Sequence, residues 1–363
     1  MIKLLLVDDS PLMRRLLTEI FEAAGDFEIE IARDGKDALA KIESFRPDVV
    51  TLDIHMPGMD GLAVLDRIMV GHPCPVVMVS ALTDEGADET LEAMALGAVD
   101  FVPKPRGAVS LEIDAVADTL VEKVRAASTV RISRVTRLRE RVQAKTKAAL
   151  RPARLGAAPE ARRRAAVAPL PAGSHVVLVG CSTGGPPALD ALLGVLPADF
   201  PWPIIIAQHM PASFTAPLAR RLDRLCALAV REVDTATVLR PGTAYIGKGD
   251  ADIILSRRGG EIVAMPAPAS REYLWHPSAD RLVNSALKYL APESLIGVLM
   301  TGMGADGATA MTELKRLGGH TIAESAATAV VWGMPGALVA SDGASSVQPL
   351  DAIAGELLSL AGR

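Results

Sequence analysis

Short apolar runs alternate with amphipathic helical patterns in both halves of this 363-residue chain. Segments such as IKLLLV and DVVTLDI, and later HVVLVG and PIIIAQH, are each followed by a helix-like stretch. Strands that are buried on both faces form near-continuous apolar runs, and parallel strands require helical crossovers. The pattern therefore predicts an α/β protein with two doubly wound parallel-sheet domains, at residues 1–125 and 173–363. A glycine-rich stretch at 241–256 predicts a short β-hairpin insertion in the second domain.

The segment between the two predicted domains differs from both in composition. Residues 126–172 are rich in Ala, Arg and Pro, and we predict a flexible basic linker there. From Lys123 to Ala168 there are 14 Lys and Arg against two acidic residues, a local charge of +12, whereas the whole chain carries −5. Attraction of this segment to acidic protein surfaces or to nucleic acid stays open. Because the second domain shows no helix-turn-helix pattern and is net negative, we expect no DNA binding.

Cysteine usage and the length of the apolar runs exclude several classes of protein. The three cysteines are widely spaced and form no C-x-x-C pair, so neither a disulfide framework nor a thiolate zinc site is indicated. No apolar run approaches the ~20 residues that cross a bilayer. Asp8 and Asp9 also occur where a signal peptide would keep its apolar stretch. We expect a cytoplasmic protein without direct membrane insertion.

Charged and hydroxyl side chains follow the predicted strands of the first domain. Asp8 and Asp9 come after the first strand, Asp53 ends another, and Ser80 and Lys104 mark the ends of two more. The carboxyl ends of parallel strands meet at one edge of the sheet, where ligands of such folds bind. Three carboxylates there supply oxygen ligands of the kind that Mg²⁺ prefers, and a lysine can neutralise a phosphoryl group.

The segments LLLVDDSPLMRR, VVMVSAL and DFVPKP closely resemble those of response-regulator receiver domains, over residues 2–124. The resemblance implies a flavodoxin-like fold in which Asp53 accepts the phosphoryl group. It implies that Mg²⁺ is held by Asp8, Asp9, Asp53 and the backbone carbonyl of His55. It also implies a switch hydroxyl, a phosphate-pairing lysine and an aromatic side chain whose rotamer reports the state, which are Ser80, Lys104 and Phe101.

GCSTGG, residues 180–185, fits the G-x-S-x-G pattern in which a serine occupies a tight strand-to-helix turn. Such a serine requires a base, normally histidine, and a carboxylate that orients the base. Of the six histidines, His209 ends the run PIIIAQH and so falls on the same sheet edge as Ser182, while His276 lies on a loop that can face the site. Asp306, in a glycine-rich turn after SLIGVLMTG, supplies the carboxylate. The sequence therefore predicts a triad of Ser182, His209 and Asp306.

The motifs GCSTGG, QHMP and TGMGADG, in that order, resemble those of the catalytic domain of chemotaxis protein-glutamate methylesterases, the CheB family. The resemblance runs from about Val176 onward and implies a Rossmann-like three-layer esterase domain. It implies a nucleophile, a general base and an orienting carboxylate, which are Ser182, His209 and Asp306. It places three further motif positions around the site, with the Met303 N–H as candidate oxyanion donor; they are Thr183, His276 and Met303.

Two alternatives stay open at this point. Residues 302–307 fit the G-x-G-x-x-G dinucleotide fingerprint, with Glu324 about 20 residues further on. Against nucleotide binding, the carboxylate of Asp306 would repel a pyrophosphate at the following helix N-terminus. Cys181 stands where the CheB motif usually has alanine, and we expect a small buried thiol that packs as alanine does. Its position beside Ser182 makes it the alternative nucleophile.

The CheB resemblance also implies a reaction and its regulation. The substrates would be γ-glutamyl methyl esters on the cytoplasmic helices of methyl-accepting chemoreceptors, with glutamine deamidation as a second activity. The esterase step needs no metal or organic cofactor, so Mg²⁺ would serve the receiver alone. A CheA-type histidine kinase would phosphorylate Asp53. We predict that the unphosphorylated receiver covers the Ser182 cleft and that phosphorylation favours an open arrangement.

Overall fold

The computed structural model describes residues 1–80, 84–104, 110–130 and 174–362. The chain divides into two compact units, Met1–Ala153 and Arg154–Arg363. Most of the predicted linker at 126–172 lies outside the described residues, so the linker and the domain limits stay predictions. Among the helices that the structure describes, none combines the length and the apolar character needed to cross a bilayer.

The first unit is built around one five-stranded parallel sheet. Its elements are β1 (Ile2–Val7), α1 (Pro11–Ala24), β2 (Phe27–Ala32), α2 (Gly35–Phe45), β3 (Val49–Asp53), α3 (Gly61–Gly71), β4 (Val76–Ser80), α4 (Asp84–Leu96), β5 (Asp100–Pro103) and α5 (Ser110–Ser128). The strand order is β2-β1-β3-β4-β5, and every pair is parallel. The order reverses between β1 and β3, which is where doubly wound sheets bind ligands. The predicted flavodoxin-like arrangement is confirmed.

The start of α1 shows how local sequence shapes the loop after β1. Ser10 is the N-cap, and its Oγ accepts a hydrogen bond from the N–H of Met13 (3.4 Å), while Pro11 occupies the first turn, where its missing N–H costs nothing. The N–H of Ser10 donates to Asp8 Oδ1 (2.9 Å). The same turn that begins the helix therefore also orients a carboxylate at the sheet edge.

The second unit contains a larger parallel sheet and a small antiparallel one. Its elements are β6 (Val176–Cys181), α6 (Gly185–Leu193), β7 (Ile204–Gln208), α7 (Ala212–Leu225), β8 (Ala229–Val233), β9 (Thr237–Val238), β10 (Thr243–Gly247), β11 (Ala251–Arg258), β12 (Glu261–Pro268), α8 (Ala279–Ala286), a 3₁₀ turn (Pro292–Ser294), β13 (Leu295–Leu299), α9 (Ala308–Arg316), β14 (His320–Glu324), α10 (Met334–Ala340), β15 (Ser346–Gln348) and α11 (Leu350–Ala361). The larger sheet has the order β15-β14-β13-β6-β7-β10-β8. The smaller has the order β11-β12-β9.

The order of the larger sheet reverses at β6, since β7 lies on one side of it and β13 on the other. All three strands are buried along their whole length, as their apolar runs predict. The loops that follow β6, β7 and β13 therefore leave the sheet side by side at its carboxyl edge. This is the expected position of a ligand site in a doubly wound sheet.

The predicted position of the β-hairpin, 241–256, is wrong. Thr243–Gly247 is β10, a fully buried strand that pairs in parallel with β7 and β8. The hairpin is formed by β11 and β12, and Gly259 and Gly260 at its turn have φ of 57° and 85°. Two-residue hairpin turns need this left-handed conformation, which glycine adopts freely. Glycines on both sides of the run TAYI are typical of turns. The sequence therefore predicts a hairpin where the structure has a short central strand.

Candidate functional site

Ser182 and His209 lie side by side at the carboxyl edge of the larger sheet. They directly follow Cys181 and Gln208, which are register partners in β6 and β7. The N–H of His209 donates to the carbonyl of Cys181 (3.0 Å), and the N–H of Ser182 donates to the carbonyl of Thr301 (2.9 Å). The backbone of Ser182 is therefore held between the loops that follow β7 and β13.

Glycines allow the turn after β6 to close tightly around Ser182. Gly184 has φ of 75°, a left-handed conformation that residues with a Cβ rarely adopt. A Cβ on Gly302 would lie 2.8 Å from the Cβ of Ser182. The GCSTGG and TGMGADG motifs thus meet the steric demands of a serine packed between two loops.

Asp306 and His209 form a buried hydrogen-bonded pair. His209 Nε2 is 2.8 Å from Asp306 Oδ2. The carboxylate also accepts from Ser278 Oγ (2.8 Å) and from the N–H groups of Ala279 (2.6 Å) and Asp280 (3.2 Å) at the start of α8. A helix N-terminus favours negative charge. Burial opposes ionisation, but His209 and these donors together hold the pKa of Asp306 below its ordinary value.

The second ring nitrogen of His209, Nδ1, is buried and has no hydrogen-bond partner within the described part of the chain. When Nε2–H donates to the carboxylate, a neutral imidazole carries its lone pair on Nδ1. The ring is also stacked on the indole of Trp275, with centroids 5.6 Å apart and planes inclined by 12°. His209 is therefore oriented on two sides and has one nitrogen available to accept a proton.

Cys181 is fully buried, and its thiol donates to Gln208 Oε1 (3.1 Å). Burial, together with the nearby carboxylate of Glu324, raises the pKa of this thiol far above its ordinary value. The thiolate is the nucleophilic form of cysteine, so this side chain is poorly suited to attack a carbonyl. The structure agrees with the expected packing thiol and argues against Cys181 as the nucleophile.

Thr183 and Met303 belong to the two loops that flank Ser182. Thr183 follows the serine directly and is buried, and its carbonyl accepts a hydrogen bond from Thr301 Oγ1 (2.8 Å). Met303 follows Gly302, the glycine that packs on Ser182, and its side chain is partly exposed. Both residues thus neighbour groups that contact the serine, where backbone donors for an oxyanion are found in acyl-transfer enzymes.

His276 lies in the loop that leads into α8. Its Nδ1 is 3.0 Å from Oδ1 of Asp252, a fully buried carboxylate that also accepts from the N–H of Ser278 (2.8 Å). Ser278 in turn donates through Oγ to Asp306. His276 therefore contributes to the hydrogen-bonded support of the carboxylate that binds His209.

Three residues beside the predicted triad escape sequence analysis: Gln208, Trp275 and Ser278. Ser278 carries a local signal, because it is the N-cap of α8 and its Oγ accepts from the N–H of Arg281 (3.2 Å). Gln208 is the polar last residue of an apolar strand. Sequence analysis assigned a role at this strand end to the next residue, His209, and none to Gln208. Trp275 has no periodic signal, since it reaches His209 from a loop.

The glycine turn at 302–307 is filled by the protein itself. A Cβ on Gly307 would lie 2.8 Å from Leu299 Cδ1 and 3.0 Å from the Cβ of Ala279. Glu324, the candidate ribose ligand, is fully buried and accepts a hydrogen bond from the N–H of Thr301 (2.8 Å). These contacts argue against the dinucleotide interpretation of the turn.

The carboxylates predicted at the edge of the first sheet converge. Oxygens of Asp8, Asp9 and Asp53 lie within 4.8 Å of one another. Lys104 Nζ is 3.0 Å from Asp8 Oδ2 and 2.6 Å from Asp53 Oδ2. Burial raises the pKa of Asp53, Lys104 opposes this effect, and Asp8 adds to it. Carboxylates this close together repel one another, and their oxygens are the ligands that a hard divalent cation such as Mg²⁺ prefers. The cluster is therefore suited to bind Mg²⁺.

The other predicted receiver residues lie in or just after the neighbouring strands β3, β4 and β5. The N–H of His55 donates to Asp53 Oδ1 (3.2 Å). Ser80 is buried at the end of β4, and its Oγ donates to a carbonyl in α4 (3.2 Å). Phe101 is buried, and Lys123 Nζ lies 5.2 Å from its ring centroid. The predicted switch aromatic is thus buried.

The fold and the two sites fit one class of protein, a response regulator whose output domain is a hydrolase. A family model described as response regulator receiver domain matches residues 4–114, and one described as CheB methylesterase matches residues 177–357. The crystal structure of the CheB methylesterase catalytic domain of Thermotoga maritima is 35% identical and covers 52% of this chain and 98% of its own, with a TM-score of 0.50.

Relatives of the same length narrow this class to one family. The chain is 54% identical over 360 residues to protein-glutamate methylesterase/protein-glutamine glutaminase 2 of Rhodopseudomonas palustris strain BisB18, covering 99% of this chain and 98% of that one. It is 53% identical to protein-glutamate methylesterase/protein-glutamine glutaminase 3 of Rhodospirillum rubrum, covering 98% and 95%. The chain therefore belongs to the CheB family of receiver-linked methylesterases, as its motifs indicate.

Proposed function

We propose that this protein is a phosphorylation-regulated serine esterase that hydrolyses glutamate γ-methyl esters on chemoreceptors and also deamidates glutamine side chains. The observation that carries the proposal is the environment of His209. One ring nitrogen is hydrogen-bonded to Asp306, and the other is buried without a partner in the described residues. His209 follows β7 directly, and Ser182 follows the neighbouring strand β6 directly. This is the arrangement required of a general base between a carboxylate and a nucleophile.

In the first half-reaction, Ser182 Oγ attacks the ester carbonyl while His209 Nδ1 takes the hydroxyl proton. The imidazolium that forms is stabilised by Asp306, which stays ionised because its pKa is held low. Backbone N–H groups near Thr183 and Met303 stabilise the tetrahedral oxyanion. The histidine then donates the proton to the departing methoxide, so methanol leaves and an acyl-enzyme remains.

In the second half-reaction, His209 removes a proton from water, whose oxygen attacks the acyl-enzyme. Collapse of the second tetrahedral species breaks the bond to Ser182 and returns the proton to its Oγ, which releases a glutamate side chain. With a glutamine substrate, the same steps release ammonia in place of methanol. His276 acts through the loop of Ser278 and thereby supports Asp306.

The receiver supplies the proposed control. Asp53 accepts the phosphoryl group from a CheA-type histidine kinase, while Lys104 pairs with the phosphoryl oxygens, and Ser80 and Phe101 change conformation in response. Mg²⁺, held by Asp8, Asp9, Asp53 and the carbonyl of His55, would offset negative charge during phosphoryl transfer. Both proposed partners, the kinase and the receptor helices, place this activity in the cytoplasm.

Methanol release from a methyl-esterified receptor cytoplasmic fragment tests this function. We expect wild type to release methanol and Ser182→Ala to release none above background. Ser256→Ala, in β11, is a matched serine control and should behave as wild type. If wild type releases no methanol from a fragment whose esterification is verified by mass spectrometry, the proposed function is wrong.

A further inference from the structure

We propose that Gln208 is a positioning residue that fixes Ser182 and His209 relative to each other, and that the thiol of Cys181 completes this device. Gln208 is the last residue of β7 and is 1% exposed. It is buried beneath the catalytic residues, so any effect on the reaction has to pass through them. The role of Gln208 in the reaction rests on the proposed function. Its positioning of the two residues rests on hydrogen bonds in the structure.

The side-chain amide of Gln208 bridges the backbones of the two residues. Its Nε2 donates to the carbonyl of Ser182 (2.9 Å) and to the carbonyl of His209 (3.1 Å). An amide nitrogen has two hydrogens, so both bonds form at once. One planar group therefore fixes the distance between the nucleophile and the base at the point where their strands end.

This bridge replaces sheet hydrogen bonds that the diverging strands no longer make. Beyond the last register pair, Cys181 with Gln208, the chain turns away into two different loops. Buried backbone carbonyls need donors, and the side chain supplies one to each of the two. The carbonyl of Ser182 also accepts from the N–H of Gly185 (2.8 Å). From the opposite side, the carbonyl of Thr301 accepts from the N–H of Ser182. The serine backbone is thus held by β7 through Gln208 and by the loop after β13 through Thr301.

The last glycine of GCSTGG makes room for this amide. A Cβ on Gly185 would lie 1.8 Å from Gln208 Oε1. No side chain is compatible with that distance, so the side chain of Gln208 requires glycine at position 185. The motifs GCSTGG and QHMP are therefore coupled sterically and not only by the chemistry of Ser182 and His209.

Cys181 completes the hydrogen bonding of the amide. Its thiol donates to Oε1 of the buried Gln208 (3.1 Å). Because burial keeps the thiol protonated, it remains a donor at neutral pH. Alanine, the usual residue at this motif position, cannot donate. In this chain, both the oxygen and the nitrogen of the Gln208 amide are therefore hydrogen-bonded.

The test compares kcat and KM per active serine in full-length variants. Active sites are counted with an alkyl fluorophosphonate, which phosphonylates an activated serine with loss of fluoride. Gln208→Met keeps the size of the side chain and removes its hydrogen bonds. Thr321→Val is the matched control, because Thr321 is buried in β14 and donates to Gly343, away from the triad. We expect Gln208→Met to lower kcat per site by about 10- to 100-fold, as small misplacement of reacting groups does, with KM within about twofold.

The cysteine variants test the second half of the inference. Cys181→Ala should lower kcat by about three- to tenfold, the effect of one lost hydrogen bond, and Cys181→Ser, which restores a donor, should recover most of the loss. If Gln208→Met retains the wild-type kcat per site, as Thr321→Val does, the positioning role is wrong. Equal losses for Cys181→Ala and Cys181→Ser would overturn the role of the thiol.

The same variants separate this inference from the proposed function. If wild type hydrolyses no methyl ester, the fluorophosphonate reaction still reports how well Ser182 is activated. A labelling rate that falls at least fivefold in Gln208→Met and not in Thr321→Val supports the positioning role even then. An unchanged labelling rate in Gln208→Met would contradict it.

Discussion

At the scale of single residues, Asp306 is the most heavily bonded member of the proposed triad. Four groups donate to its carboxylate, and three of them come from the start of α8. These donors fix both oxygens, so the carboxylate presents one defined lone pair to His209 Nε2. The orientation of the histidine is therefore set by a helix that the triad motifs do not include.

Asp306→Asn should abolish most activity while the protein remains folded. The amide cannot accept from all of these donors and favours the wrong tautomer of His209, so we expect kcat to fall by about 10³- to 10⁴-fold. Asp342→Asn is the matched control, because Asp342 is fully exposed beside Lys315. Methanol release should be unchanged in this control. A loss of less than tenfold in Asp306→Asn would contradict an orienting role for the carboxylate.

The low pKa of Asp306 predicts a dependence of stability on pH. Because the pKa in the folded protein lies below its ordinary value, the ionised carboxylate stabilises the fold above the unfolded-state pKa of about 3.9. This contribution is lost as pH falls through the folded-state pKa. The difference in unfolding free energy between wild type and Asp306→Asn, measured with urea, should therefore be largest near neutral pH and shrink in acid. A difference that grows on acidification would contradict the assigned pKa direction.

At the scale of elements, the contact between the loops after β6 and β13 depends on Gly302. A Cβ there would lie 2.3 Å from Met334 Sδ and 2.8 Å from the Cβ of Ser182. We expect Gly302→Ala to destabilise the protein by about 1–3 kcal/mol, as overpacking does, and to lower methanol release.

Gly355→Ala provides the contrast. A Cβ at Gly355 in α11 meets nothing within 4 Å, so this change should leave activity intact and stabilise the protein by up to about 1 kcal/mol. Urea unfolding of both variants measures the effects. Equal stability changes at the two glycines would show that the packing against Ser182 is not what restricts position 302.

Periodicity predicts the main strands because β6, β7 and β13 are buried on both faces and therefore apolar throughout. Ser182 and His209 directly follow the ends of β6 and β7, and Asp306 lies in the turn between β13 and α9. The rule that ligands bind at the carboxyl ends of parallel strands therefore predicts that all three lie at one edge of the sheet. Sequence analysis misplaced the hairpin because β10 is only five residues long and has glycine at its ends, which is typical of a turn. Burial of a short central strand is decided by its neighbours β7 and β8 and not by its own sequence.

At the scale of the whole molecule, two units with separate chemistries are joined in one chain. The sequence predicts both folds, since each unit has its own alternation of strands and helices. It does not predict the contacts that Trp275 and Ser278 make with the proposed triad. Both residues lie in a loop that follows the antiparallel sheet and returns to the edge of the parallel sheet. Such a return depends on tertiary packing, which strand and helix periods do not encode.

If phosphorylation of the receiver controls the esterase, Asp53 is required for activation of methanol release. Acetyl phosphate should raise the methanol release of wild type by about 5- to 150-fold, the range of ordinary allosteric coupling, and leave Asp53→Asn unchanged. Asp118→Asn, at an exposed position in α5, is the matched control and should respond as wild type. An equal response of wild type and Asp53→Asn would contradict control through this carboxylate.

The most direct test of the account is to map the residue that reacts with an alkyl fluorophosphonate by peptide mass spectrometry. We predict a single adduct on Ser182, absent in Ser182→Ala and formed at least tenfold more slowly in His209→Ala and Asp306→Asn. An adduct on Cys181, or a labelling rate at Ser182 that does not depend on His209, would contradict the proposed triad.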